Sequence, residues 1–265
     1  VLMTAWCGRV VHFAAKDVLF SVPILGQLLR LMGAVPIRRR MDHGGGSQSN
    51  DDAFRDLRQV LFEGRAMGIF PEGISHDESQ LAPLKTGAAR IALGARDAHC
   101  PLPVYIVPVG LVYFTRHRFR SSVLLQFGEP VLIHEGGEWT EPLKEGDEQR
   151  REVRKLTDQV DTRLRSLTIN AETWEQLWVL DGVRRLYQPK DIALGERARL
   201  ARRFNEGYPQ FKDEADVREL YDRVRDYLLR LSADNLDDAL VEGVPVGYRR
   251  LFLDKKHSSC STTTC

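Results

Sequence analysis

A carboxylate, a hydroxyl and an imidazole lie close together in Phe70-Pro71-Glu72-Gly73-Ile74-Ser75-His76. These groups can hold a polar ligand and exchange protons with it. Ahead of them runs Ala66-Met67-Gly68-Ile69, an apolar stretch that reads as a short buried strand. Pro71 fixes φ and Gly73 permits φ > 0, so the strand is expected to end in a tight turn. Open α/β sheets bind ligands at the carboxyl ends of their strands. The plain alternative is an ordinary strand-to-loop turn with solvated polar side chains. A serine nucleophile elbow is disfavoured, because Gly73-Ile74-Ser75-His76-Asp77 lacks the Gly-x-Ser-x-Gly frame.

Three more segments bear on this one. Gly33-Ala34-Val35-Pro36-Ile37-Arg38-Arg39-Arg40 reads as a short strand that delivers a cluster of guanidiniums. Downstream lie Pro83-Leu84-Lys85-Thr86-Gly87 and Val104-Tyr105-Ile106-Val107-Pro108-Val109-Gly110. In order and spacing, these segments resemble the blocks of the glycerophosphate acyltransferase family. Gly33 to Arg39 resembles its second block, Phe70 to Gly73 its third and Ile106-Val107-Pro108-Val109 its fourth. Ala15-Lys16, Leu19-Phe20, Pro23 and Gly26 resemble the stretch entering the second block, and Phe127-Gly128-Glu129-Pro130 the strand end that closes the domain. The resemblance covers roughly residues 11–130. It is nearest to the branch acting on glycerol 3-phosphate or dihydroxyacetone phosphate, because Ser75-His76-Asp77 and Leu84-Lys85-x-Gly87 follow Phe-Pro-Glu-Gly.

The resemblance implies an O-acyltransferase of glycerophospholipid synthesis. A fatty acyl group would pass from acyl-CoA or an acyl carrier protein to a hydroxyl of glycerol 3-phosphate, dihydroxyacetone phosphate or lysophosphatidate. The implied substrate-binding residues are Arg39, Pro71, Glu72, Gly73, Ser75, His76 and Lys85. Arg39 would grip the phosphate with its planar fork, and Lys85 would add a second phosphate contact. Glu72 and Gly73 would shape the glycerol pocket. Ile74 stands where many relatives carry Thr, so Ser75 is expected to supply the hydroxyl. No resident cofactor, metal or nucleic acid is implied. The implied partners are the acyl thioester, the glycerol phosphate acceptor and a membrane surface, with peripheral attachment at the cytoplasmic face; the intact protein can carry membrane segments. A non-catalytic lipid- or membrane-binding module on the same fold is the rival reading.

The family's general base is a His separated from an Asp by four intervening residues, placed before the second block. His12 and Asp17 have that spacing, but they straddle Ala15-Lys16 and His12 sits in the strand-like Val10-Val11-His12-Phe13. The spacing is therefore read as a coincidence. The catalytic His and Asp are expected upstream of Val1, and this fragment alone is expected to be inactive.

The elements that must position these groups alternate between strand and helix, which predicts an α/β layered acyltransferase domain with a mostly parallel central sheet. Asp51 to Glu63 reads as an amphipathic helix with Phe54, Leu57, Val60 and Leu61 on one face. Thr86 to Ala95 reads as another helix. Val104 to Val109 and Val123 to Phe127 read as strands. Val22 to Met32 is apolar at helical spacing and is expected to be a core helix, with a membrane-interface position as the alternative. Gly44-Gly45-Gly46-Ser47 lacks the Lys-Ser/Thr of a phosphate loop. Residues 1–133 are assigned to the α/β domain, 134–147 to a linker, 148–232 to a helical appendage and 233–265 to a poorly ordered tail. In the appendage, Leu156, Val160 and Leu164 share one face, and Trp174, Leu177, Trp178, Val183 and Leu186 are expected to pack a second helix. Arg184-Arg185 and Arg202-Arg203 are expected on solvated faces.

The chain has 265 residues and a formal net charge of +1, so global charge points to no polyanionic partner. Residues 1–40 are locally basic, with six Lys or Arg against Asp17, a balance of +5. That suits phosphate esters and anionic headgroups. Cys7, Cys100, Cys260 and Cys265 form no metal-like pairs, and reduced thiols are expected.

Overall fold

Three short apolar segments pair side by side as parallel strands: β1 (Val11–Lys16), β2 (Val35–Ile37) and β3 (Ala66–Gly68), in the order β2-β1-β3. The register sets Lys16 beside Ile37 and Phe13 beside Gly68. In this computed structural model, residues 8–37, 51–114, 122–133, 139, 146–189, 191–234 and 236 are described. Parallel strands need crossovers. From β1 to β2 the chain makes a 3-10 turn (Asp17–Ser21) and α1 (Leu25–Leu31), and between β2 and β3 lies α2 (Asp51–Phe62). Because the strands run the same way, the residues after Lys16, Ile37 and Gly68 all leave from one sheet edge. The expected α/β architecture is present.

The chain divides into two units, one within Val1–Asp77 and Leu81–Thr168, the other within Glu78–Gln80 and Ile169–Cys265. In the first, α2 buries Leu57 and Val60 on the face its spacing indicates, and Gly64 stops it at φ +68°. α3 (Gly87–Asp97) buries Ala89, Ile91, Ala92 and Leu93. α4 (Asp147–Leu167) adds Val153, Leu156, Val160 and Leu164 to the same core as Ala89, Leu93, Val131, Ile133 and Trp139. The boundary between units therefore falls after Thr168, not in residues 134–147. The charged helix expected to open the appendage is instead held by its apolar stripe in the α/β core.

The stretch expected as one buried strand from 104 to 109 is broken. β4 (Tyr105–Ile106) pairs antiparallel with β7 (Val131–Leu132), and β5 (Val109–Tyr113) pairs antiparallel with β6 (Val123–Phe127). Pro108 sits between β4 and β5, has no amide hydrogen for a ladder, and its carbonyl accepts from the Gly128 amide at 2.8 Å. Leu167 at the end of α4 fits against Gly110 and Gly128, where an added Cβ would come within 2.7 and 2.9 Å of it.

The core position expected for the Val22 to Met32 stretch is overturned. Ile24 is 81%, Leu28 51% and Leu31 85% exposed. The buried side of α1 is Gly26, where any Cβ would overlap the Phe20 carbonyl. Periodicity marks an apolar stripe but not the direction in which it faces.

The second unit is a set of helices: α5 (Trp174–Tyr187), α6 (Leu194–Phe211) and α7 (Ala215–Ala233). Thr173 caps α5 by accepting from the Gln176 amide at 3.0 Å. Val179, Val224, Leu228 and Leu231 form the core, and Gly182 admits Leu228 where a Cβ would lie 2.5 Å away. Trp174, Trp178 and Leu186, expected as packing residues, are exposed. Arg184, expected on a solvated face, is fully buried, donating to Asp181 Oδ1 at 2.9 and 2.6 Å and to Gln188. Among the described residues no helix is long and apolar enough to cross a membrane.

Candidate functional site

β3 ends at Gly68, where a Cβ would stand 2.5 Å from the Phe13 ring. Glycine thus lets Phe13 of β1 reach across and stack on Phe70, with ring centroids 6.1 Å apart and planes 22° from parallel. The chain then turns. The Gly73 amide donates to the Phe70 carbonyl at 3.1 Å, and Gly73 takes φ +66°. The Lys85 amide donates to the Pro71 carbonyl at 2.8 Å, which lays the Ala82–Lys85 segment beside the turn.

Side chains converge on this frame. Glu72 Oε2 accepts from the Ala82 amide at 2.9 Å and meets His76 Nε2 in a short contact. The Glu72 and His76 side chains are 21% and 19% exposed, neither sealed nor fully solvated. The Lys85 stem crosses Gly73, where a Cβ would lie 2.8 Å from Lys85 Cδ and 3.2 Å from Nζ. A carboxylate, an imidazole and an ammonium are thus gathered at the carboxyl end of β3. The structure brings Pro71, Glu72, Gly73, His76 and Lys85 together at this turn. Ser75 is exposed and stands outside this hydrogen-bonded set. Arg39 and the Gly/Ser-rich stretch that follows it lie outside the described residues, but β2, which leads to Arg39, ends at the same sheet edge.

His12 lies in β1, 8% exposed, and its Nδ1 donates to the Gly33 carbonyl at 2.7 Å. Gly33 is at φ +71°, and a Cβ there would meet the imidazole at 2.6 Å. Asp17 opens the 3-10 turn and accepts from the Val18 amide at 2.8 Å. His12 is therefore engaged in holding the crossover, and Asp17 in the turn that starts it. Sequence reasoning missed the Ala82 amide as a partner of Glu72 and Phe13 as the support of Phe70. Of the two, only the alternation along β1, which sets Phe13 opposite in face to His12, carried any signal. No group of three or more His, Cys, Asp or Glu suited to a metal ion occurs among the described residues.

Comparison with known proteins gives two family matches. Residues 1–112 match the family described as Acyltransferase, and residues 179–253 match the Glycerol-3-phosphate acyltransferase 2 C-terminal domain. The chain is 39% identical to Glycerol-3-phosphate O-acyltransferase 2 of Saccharomyces cerevisiae over 71% of this chain and 25% of that protein. It is 34% identical to Glycerol-3-phosphate O-acyltransferase 1 of the same yeast, over 72% of this chain and 25% of that protein. A chloroplastic 1-acyl-sn-glycerol-3-phosphate acyltransferase of Brassica napus is 29% identical over 48% of this chain and 34% of its own length. The chain spans 25% of the length of each yeast relative.

Proposed function

The chain belongs to the glycerophosphate acyltransferase family, and on that premise we propose that it serves glycerophospholipid synthesis as the acceptor-binding part of an O-acyltransferase. The donor is acyl-CoA or an acyl carrier protein thioester. The acceptor is glycerol 3-phosphate, dihydroxyacetone phosphate or lysophosphatidate. The observation that carries this reading is the gathering of Glu72, His76 and Lys85 around the Gly73 turn at the sheet edge.

The acceptor oxygen attacks the thioester carbonyl carbon, the carbon–sulfur bond breaks, and the departing thiolate takes up the proton removed from the hydroxyl. The chemistry calls for a base on that hydroxyl and no resident cofactor. His12 is not that base, since its ring is buried and bonded to Gly33. Glu72 is braced on Oε2 by His76 and Ala82, and in this reading its Oε1 takes the acceptor hydroxyl. His76 thus acts through Glu72 as a positioning residue. Lys85 and Arg39 bind the phosphate, Lys85 as a point charge and Arg39 as a bidentate fork. The protein works peripherally on the cytoplasmic face of a membrane.

Steady-state kinetics of the full-length native protein test the assignment. Arg39→Ala and Lys85→Ala are each expected to raise KM for glycerol 3-phosphate about tenfold or more, the worth of a charge-assisted phosphate contact, and to move KM for acyl-CoA less than about twofold. Equal shifts for both substrates, or none for either, would remove these residues from the acceptor site.

A further inference from the structure

Residues 69–86, between β3 and α3, form neither helix nor strand, yet they carry the candidate site. A segment without a ladder keeps its shape only where particular bonds hold it. Near its ends, the Gly73 and Lys85 amides donate to the Phe70 and Pro71 carbonyls. Further in, the Ala82 amide donates to Glu72 Oε2 at 2.9 Å. That amide can orient the carboxylate only if the chain around Ala82 is itself fixed.

Groups from one later stretch, residues 165–171, fix it. The buried Ser79 hydroxyl donates to the Ala171 carbonyl at 2.9 Å, and the Ala171 amide donates back to the Ser79 carbonyl at 3.2 Å. Ser79 thereby groups with the second unit, although Asp77 and Leu81 belong to the first. Two residues on, the Leu81 carbonyl accepts from Arg165 Nη2 at 3.3 Å. Arg165 Nε in turn donates to Asp161 Oδ2 at 2.6 Å, one turn back along α4. The Leu81 carbonyl and the Ala82 amide are two ends of one peptide group. That group is planar, so a guanidinium that holds its oxygen also sets the direction of the N–H that meets Glu72. A cation on the oxygen and a carboxylate on the N–H polarise the peptide in the same sense, and each bond strengthens the other.

We propose that Arg165 and Ser79 are positioning residues for acceptor binding: Ser79 anchors the segment, and Arg165 orients the Leu81–Ala82 peptide that sets the Glu72 carboxylate. The proposal rests on the acceptor-site reading of Glu72. Both residues act through the Ala82 amide and neither touches substrate.

Steady-state kinetics and residue-resolved hydrogen exchange of the full-length native protein test it. Arg165→Met keeps an apolar stem and removes the donors, and Ser79→Ala removes the hydroxyl. Each is expected to raise KM for glycerol 3-phosphate about threefold to tenfold, the worth of one hydrogen bond, and to move KM for acyl-CoA less than about twofold. Exchange at the Ala82 amide is expected to quicken in both. Arg163→Ala, which removes a bond from the same helix to the Glu129 carbonyl, is expected to change neither readout. Circular dichroism checks folding. If Ser79→Ala does not fold, Arg165→Met decides alone, since its side chain is partly exposed. A folded Arg165→Met with the parental KM for glycerol 3-phosphate would overturn the proposal. Equal rises for both substrates, or unchanged exchange at Ala82, would do the same. Lys85→Ala separates two kinds of failure. If it raises KM for glycerol 3-phosphate while Arg165→Met does not, only the proposal is lost; if it too leaves KM unmoved, the acceptor-site reading is lost with it.

Discussion

At Gly73 the backbone sits at φ +66°, and the Lys85 stem crosses the place where a side chain would begin. Gly73→Ala forces a left-handed alanine, at about 1 kcal/mol, and displaces Lys85. The expected outcome is a small drop in the urea midpoint of the full-length protein together with a KM for glycerol 3-phosphate raised severalfold. A stability loss with unchanged KM would separate the turn from acceptor binding. At this scale the sequence was informative where backbone geometry forces residue choice, as at Pro71 and Gly73. It marked Glu72 but was silent on its Ala82 partner, which acts through a backbone amide that any residue but proline supplies. His12 was legible for the opposite reason. A histidine inside an apolar strand has to find a buried partner, and it finds the Gly33 carbonyl.

Elements show a similar division. β1, β3, α2 and β6 could be read from their patterns, because short apolar runs and amphipathic stripes report directly on burial. α1 could not, since the same stripe suits a core or an interface. α4 was correctly legible as a helix and misassigned to the appendage, because its charged face dominates its composition while its stripe fills the α/β core. Leu156 is fully buried there. Leu156→Ala is expected to cost the first unit about 2–5 kcal/mol and to leave protection of α5–α7 unchanged. Hydrogen exchange resolved by segment checks this, and loss of protection confined to α5–α7 would contradict the assignment of α4.

Across the whole molecule, the two units have cores of different kinds. The first joins helices to strands, and the second is helical and rich in charge, with Arg184 buried beside Asp181. A buried arginine is hard to foresee from sequence, since its tolerance depends on partners that only the fold brings together. Tyr221 stacks on Tyr208 at 5.0 Å, and burial pushes the Tyr221 hydroxyl up from 10.0 to about 12, with Glu175 adding to the effect. Burial also raises Tyr208. A raised folded-state pKa adds stability that is whole below the unfolded value and fades as pH climbs through the folded one. The second unit is therefore expected to weaken between pH 10 and about 12, and Tyr221→Phe to lessen that loss. Urea titrations followed at 222 nm at the two ends of this window check it; a parent and variant with identical alkaline slopes would refute it.

The bond from His12 to the Gly33 carbonyl closes the neck of the excursion between β1 and β2. Everything from Lys16 to Met32 hangs from that neck, like a bead drawn tight on a looped thread. The apolar face is thus presented already shaped, with its chain freedom surrendered when the sheet formed. Whatever meets that face has little left to organise, and the strand that leads to Arg39 begins two residues beyond the knot.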